Sequence, residues 1–288
     1  MVSSPFASTL VTPDEFHNAS GASSSRIIPV AAGRASLRSS YEKQHIPGSV
    51  FFDMDMVADT TSPYPQMLPT ASHFAACMGQ LGIQPDDVLV VYDAFDVGMY
   101  SAPRVAWTCR LFGHKSVHVL NNFRLYVEQG YPVADGEMAH LPRVDYPICE
   151  PDPKQTISFD DLRQLILQGS GEYQIIDARI PGRFSGVQEE ADPSLRSGHM
   201  PSAINIPLAA ILDTDTKAFL PLDRLKTLFE EAGVQKRSQV ILTCNSGVTA
   251  AALDLALEEI GFGLHRRLYD GSWMEWTRRA DNALVVKD

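Results

Sequence analysis

Cys244 stands directly after the apolar run Val240-Ile241-Leu242-Thr243 and directly before Asn245-Ser246-Gly247-Val248-Thr249. Beyond that loop, Leu253, Ala256, Leu257 and Ile260 recur at helical spacing, so the sulfur falls between a strand end and a helix start. In open parallel α/β sheets the functional crevice lies beyond the carboxyl ends of the strands, which is where this loop belongs. Successive backbone N–H groups turned inward, with the positive end of the following helix, favour a thiolate over a thiol and hold an anionic ligand. Cys244 is therefore the candidate nucleophile. Gly247 supplies backbone freedom in the tight loop. Ser246 and Thr249 supply hydroxyl groups toward whatever sits over the sulfur, with helix capping as the other task such residues perform. A buried cysteine is more often inert packing. Cys77 and Cys109, within helical patterns, and Cys149, in a proline-rich stretch, are read that way.

The elements that position this loop come as an imperfect repeat with a period near 150 residues, right for a duplicated domain and too long for a solenoid. His45-Ile46-Pro47-Gly48 recurs as His199-Met200-Pro201-Ser202, and Val88 to Tyr92 before Asp93 recurs as Val240 to Thr243 before Cys244. Short β-branched runs such as Tyr173 to Ile176 alternate with helical patterns at Phe159 to Gln168 and Asp223 to Ala232, which predicts an α/β fold with mostly parallel sheets covered by helices on both faces. Pro142, Pro147, Pro151 and Pro153 mark an extended connection. We therefore divide the chain into a first domain at 1–140, a linker at 141–157 and a second domain at 158–288.

The chain has 288 residues, of which 44% are hydrophobic and 20% charged, so disordered, collagen-like and coiled-coil classes drop out. A formal charge of -11 repels phosphate backbones and argues against nucleic acid as the main partner. No apolar run reaches the roughly 18–20 residues of a spanning helix, so no membrane association is expected, and Met1 to Asn18 has neither the secretory nor the transit-peptide pattern. The cysteines are widely spaced, which suits reduced thiols and argues against a disulfide scaffold or a metal site.

These residues resemble the rhodanese superfamily, and the tandem arrangement resembles thiosulfate and 3-mercaptopyruvate sulfurtransferases over nearly the whole chain. The resemblance rests on His45-Ile46-Pro47-Gly48 with Phe51-Phe52-Asp53, Tyr64 to Pro69, Ser101 to Val105 with Phe112-Gly113-His114, Asp177-Ala178-Arg179 with Arg183-Phe184-Ser185-Gly186, the Cys244 loop, and Tyr269 to Trp276. It implies two rhodanese-like domains, with the first an inactive copy in which Asp93 stands at the cysteine position. It also implies a ping-pong transfer: the Cys244 thiolate takes sulfur from a small-molecule donor as a persulfide and passes it to a thiol, to cyanide or to a thioredoxin-like protein. No metal or organic cofactor is called for.

Loop residues Asn245, Ser246, Gly247, Val248 and Thr249 are closer to the mercaptopyruvate type than to the thiosulfate type, which carries Arg and Lys after the cysteine. Arg183 matches the arginine that binds the donor's carboxylate, a task suited to a bidentate guanidinium; a surface pairing with Glu189 or Glu190 is the competing role. Asp192 falls where a second carboxylate-binding arginine is usual, with Arg196 close enough to substitute. Ser246 and Asp55 match two members of a Ser-His-Asp arrangement, whereas Gln66 occupies the histidine position. Asn245 replaces a usual glycine, and Asn121-Asn122-Phe123 replaces an Asp-Gly-Gly turn. The resemblance is compatible with a monomer in the cytoplasm or mitochondria. Alternatives are a thiosulfate:cyanide sulfurtransferase, a non-catalytic binding or sulfur-relay module, a redox sensor resolved by a second cysteine, and a phosphatase, disfavoured because Ala250 stands where an arginine is needed.

Overall fold

The computed structural model describes residues 4–23, 25–169, 171, 173–263 and 265–288. They form two units of α/β architecture. In unit 1 the elements are β1 (Leu10–Val11), α1 (Pro13–Ala22), β2 (Ile27–Gly33), α2 (Arg38–Lys43), β3 (Val50–Asp53), α3 (Met54–Val57), α4 (Ala71–Gln80), β4 (Val88–Asp93), α5 (Ala102–Leu111), β5 (Ser116–Leu120) and α6 (Phe123–Glu128). In unit 2 they are β6 (Thr156–Ile157), α7 (Phe159–Gln168), β7 (Tyr173–Asp177), α8 (Pro181–Ser185), β8 (Ile204–Asn205), α9 (Leu222–Glu231), β9 (Gln239–Thr243), α10 (Ala250–Glu259), β10 (His265–Tyr269) and α11 (Ser272–Arg279).

The strand orders β1-β5-β4-β2-β3 and β6-β10-β9-β7-β8 are the same topology twice, and every ladder is parallel. The central strands β4 and β9 read as unbroken apolar runs because helices cover both faces, and their residues from Val88 to Tyr92 and from Val240 to Thr243 are buried. Local sequence chemistry starts the helices. Thr12 accepts from the Glu15 amide and Glu15 reaches back, a capping box, and Ser158 caps α7 through the Asp161 amide. In unit 2 the core joins Ile157, Leu162, Ile175, Ile241, Tyr269, Trp273 and Trp276. Both tryptophans are fully buried, so burying roughly 150–250 Å² of ring surface each makes them a main support of β10 and α11.

The units do not follow the chain's two halves strictly. Unit 1 comprises 1–61, 68–152 and 214–219, and unit 2 comprises 62–67, 153–213 and 220–288. Within the stretch expected as a linker, 141–152 therefore count with unit 1, and Thr156–Ile157 form β6 beside β10. The physical reason is close packing. Val144 donates to the Gly79 carbonyl at 3.1 Å, and the Tyr146 hydroxyl bonds His114 at 2.7 Å. A Cβ on Gly79 would stand 2.4 Å from the Val144 oxygen, so only glycine lets that strand of chain lie on α4. Residues 214–219 are held in unit 1 by Asn121 and Asn122: Asn121 Oδ1 accepts from the Phe219 amide at 2.9 Å and Asn122 Nδ2 donates to the Thr216 oxygen at 2.8 Å. The replaced Asp-Gly-Gly turn thus has a structural task.

Candidate active site

β9 ends at Thr243, whose carbonyl accepts the Ala178 amide at 2.9 Å, and the chain then turns at Cys244. Cys244 is only 2% exposed. Its amide donates to Ser272 Oγ at 3.3 Å, its carbonyl accepts from the Trp273 amide at 2.9 Å, and the Asn245 carbonyl accepts from the Met274 amide at 3.0 Å. The first turn of α11 therefore grips the carbonyl side of the loop. The amides of Asn245, Ser246, Val248 and Thr249 are left without a protein acceptor among the described residues. Gly247 takes φ +76, a left-handed conformation that strains other L residues. Thr249 stands at the N-cap of α10 but makes no side-chain cap bond, so its hydroxyl remains available, as does that of half-buried Ser246. A buried cysteine in a loop with unpaired amides, just before the positive end of a ten-residue helix, is a setting suited to a nucleophile or an anionic ligand.

Arg183 lies on α8, a five-residue helix begun by Pro181. The end of that helix is pinned: the Arg183 carbonyl accepts from the Gly198 amide at 3.0 Å, Phe184 from His199 Nδ1 at 3.0 Å, and Ser185 from the Asp288 amide at 3.1 Å. Gly198 has φ +127, and a Cβ there would meet the Val286 oxygen at 2.4 Å. The Arg183 side chain is 28% exposed and its Nε lies 3.6 Å from Glu190 Oε2, an ion-pair distance longer than a hydrogen bond.

The remaining expected residues are placed as follows. Arg196 is not free for a second carboxylate, because its guanidinium donates to the carbonyls of Thr277 and Ala280 and to Asn282 Oδ1, capping the C-terminal end of α11. Asp192, expected to repel an anionic donor, is paired with Arg278 at 2.9 Å, and hydrogen bonds from Ser194 hold its carboxyl below the usual range. Asp55 lies on α3 of unit 1, bonded to Arg34 Nε at 2.8 Å and to the Ala35 amide at 3.1 Å. Gln66 belongs to the 62–67 stretch of unit 2, buried and at φ +62. Sequence reading missed Ser272 and Trp273 as anchors of the Cys244 loop. Nothing local in the sequence announces them, because it is the parallel pairing of Leu268 with Leu242 that brings the end of β10 alongside Cys244.

In unit 1 the strand register places Asp93 at the position of Cys244. Its Oδ2 accepts from the amides of Tyr100 and Ala102 at 2.9 Å each, and its Oδ1 from Ser101 at 2.7 Å. The amides before α5 are thus occupied by the chain's own carboxylate. Burial is the dominant influence and pushes that carboxyl up to about 6.

Comparison with known proteins follows the same lines. The chain matches the Rhodanese-like domain over residues 12–123 and 158–279. It is 37% identical to the 3-mercaptopyruvate sulfurtransferase of Mus musculus over 252 residues, covering 87% of this chain and 83% of that protein. It is 38% identical to the thiosulfate sulfurtransferase of Rattus norvegicus over 254 residues, covering 86% and 82%. Among solved structures, Tum1 from Saccharomyces cerevisiae superposes with a TM-score of 0.89 at 33% identity, covering 97% of this chain and 98% of that one. SseA from Escherichia coli, described as a 3-mercaptopyruvate sulfotransferase, superposes at 0.79 with 31% identity, covering 93% and 99%.

Proposed function

This chain belongs to the rhodanese-like family and is a sulfurtransferase, and from that premise we propose that Cys244 carries the sulfur as a persulfide, with 3-mercaptopyruvate as the donor. The observation that carries the reading is the buried Cys244 sulfur before α10 with four loop amides unpaired. Its thiolate attacks the donor's sulfur and forms an S–S bond. The carbon–sulfur bond breaks, its electron pair goes to the methylene carbon as an enolate, and the donor's thiol proton moves there to give pyruvate. The persulfide anion left on Cys244 is held by the loop amides. An acceptor thiolate, a thioredoxin-like protein or cyanide then attacks the outer sulfur and releases the Cys244 thiolate. No step needs a metal or an organic cofactor.

Support for a carboxylate donor comes from Arg183 together with a loop of uncharged residues. Thiosulfate, a dianion, finds no side-chain cation between Asn245 and Thr249. Ser246 and Thr249 contribute hydroxyls beside the sulfur, and Arg183 binds the carboxylate. We place the protein in the cytoplasm as a monomer. A mitochondrial location is the second reading, because a solved structure 32% identical to this chain is described as a sulfur transferase subunit of yeast mitochondrial complex I. No helix among the described residues is long and apolar enough to cross a membrane.

The test is persulfide formation with 3-mercaptopyruvate and with thiosulfate, followed by intact-mass spectrometry on wild type and Cys244→Ser. The expected result is rapid loading of wild type by 3-mercaptopyruvate and none of Cys244→Ser, with unchanged thermal unfolding. Loading of the serine variant overturns the mechanism. Preferential loading by thiosulfate overturns the donor.

A further inference from the structure

Beneath Arg183 lie two carboxylates and a second guanidinium, all in unit 2. Arg179 holds Asp177 through Nη2 and Nε at 2.7 and 2.9 Å, bonds the Gly198 carbonyl at 2.7 Å, and reaches Glu190 Oε1 at 3.1 Å. Its guanidinium also lies 3.9 Å over the ring of Trp273, whose amide holds the Cys244 carbonyl. Glu190 divides its two oxygens between the arginines: Oε1 faces Arg179 and Oε2 faces Arg183 Nε at 3.6 Å. The Glu190 side chain is 1% exposed and that of Arg183 28%. Arg183 Nε is itself buried, so the exposed part of the guanidinium is its terminal nitrogens.

We propose that Glu190 is a positioning residue for the sulfur donor: it holds the inner edge of Arg183 so that the terminal nitrogens present a two-pronged face to the donor's carboxylate. This rests on the reading of Arg183 as the carboxylate-binding residue. Arg179 does not require Glu190, since Asp177 and the Gly198 carbonyl already take three of its N–H groups. The second oxygen of Glu190 therefore serves Arg183. Asp177, Glu190, Arg179 and Arg183 sum to zero formal charge, so the cluster as a whole offers an anion no net attraction at a distance. Binding then depends on where the Arg183 head points.

That contrast sets the sign of the test. Removing the Glu190 charge adds one positive charge to the cluster; were the field decisive, Glu190→Gln would tighten binding of an anion. With orientation decisive, it weakens binding, by about fivefold to tenfold if one charge-assisted contact is lost. The probe is pyruvate, which carries the carboxylate and no transferable sulfur, titrated by calorimetry into wild type, Glu190→Gln, Arg183→Met and the double variant. We expect weaker pyruvate binding in Glu190→Gln and no further loss when the change is added to Arg183→Met. KM for 3-mercaptopyruvate should rise in parallel, with kcat within about twofold, and turnover of mercaptoacetone, the same thiol ketone without a carboxylate, should not change. Pyruvate binding that is absent in wild type, or unchanged or tighter in Glu190→Gln, overturns the proposal, as does an equal loss in the Arg183→Met background or with mercaptoacetone. If Glu190→Gln does not fold, Glu190→Asp gives the same reading, because it keeps the charge for Arg179 and withdraws from Arg183. A failure of 3-mercaptopyruvate to load Cys244 refutes the donor and leaves the pyruvate titration intact.

Discussion

Replacing Asp93 by Asn should cost stability in acid and progressively less as pH rises to neutral. Asp93 is buried and accepts three amide bonds, yet burial outweighs them and holds its carboxyl up to about 6, against 3.8 in an unfolded chain. Between those values the folded form binds more protons than the unfolded form, so stability falls as pH rises through the window. The span is about two units, and at 1.36 kcal/mol per unit the ionised carboxylate costs roughly 3 kcal/mol of stability above pH 6 relative to its protonated form. An Asn carboxamide never ionises, but its Nδ2 cannot accept where a carboxyl oxygen did, so at least one of the three amide bonds is lost at a cost of about 1–3 kcal/mol that does not vary with pH. Urea unfolding of wild type and Asp93→Asn, compared at each pH from about 4 to 7.5, cancels every other titrating group in the difference. Wild type should be the more stable near pH 4, where the Asn variant lacks an acceptor, and the difference should move by about 3 kcal/mol toward Asn by neutral pH. Parallel curves, or a gap that widens in favour of Asp as pH rises, would refute the argument, because the three amides would then have overcome burial.

Arg183→Lys keeps the charge and loses the two-pronged geometry, so KM for 3-mercaptopyruvate should rise by roughly tenfold while the melting temperature stays near that of wild type. Steady-state kinetics beside a thermal melt check this, and unchanged KM removes Arg183 from the site. Gly79→Ala tests the packing of residues 141–152. In an exposed helix the change would stabilise by about 1 kcal/mol, whereas here the new Cβ stands 2.4 Å from the Val144 oxygen. A loss of about 1–3 kcal/mol in urea unfolding is expected, and a gain would show that the 141–152 stretch does not lie on α4.

Much of the Cys244 neighbourhood is local and was therefore legible. An apolar run, a cysteine, a loop with Gly247 and a helical pattern are adjacent in sequence, and β9, the loop and α10 follow that order. The duplicated strand and helix pattern likewise predicted the paired α/β sheets that the strand orders display. Partners of charged side chains were not legible. Asp192 was read as an unopposed charge, but Arg278, 86 residues away, pairs with it; Arg196 was read as a free cation, but the carbonyls of Thr277 and Ala280 hold it. Nor does any periodicity announce that 62–67 count with unit 2 or 214–219 with unit 1.

By itself, then, the amino-acid order determined the fold class, the duplication and the strand-to-helix turn that carries Cys244, because hydrophobic period and turn chemistry act over a few neighbouring residues. Only the tertiary structure decided which charges are spent on the scaffold and which face outward. Arg179 and Arg196 are consumed by carboxylates and helix carbonyls, Asp93 fills the amides before α5, and Arg183 keeps its terminal nitrogens exposed. A buried polar group must find its partner wherever folding brings one, and that partner is set by how the elements pack.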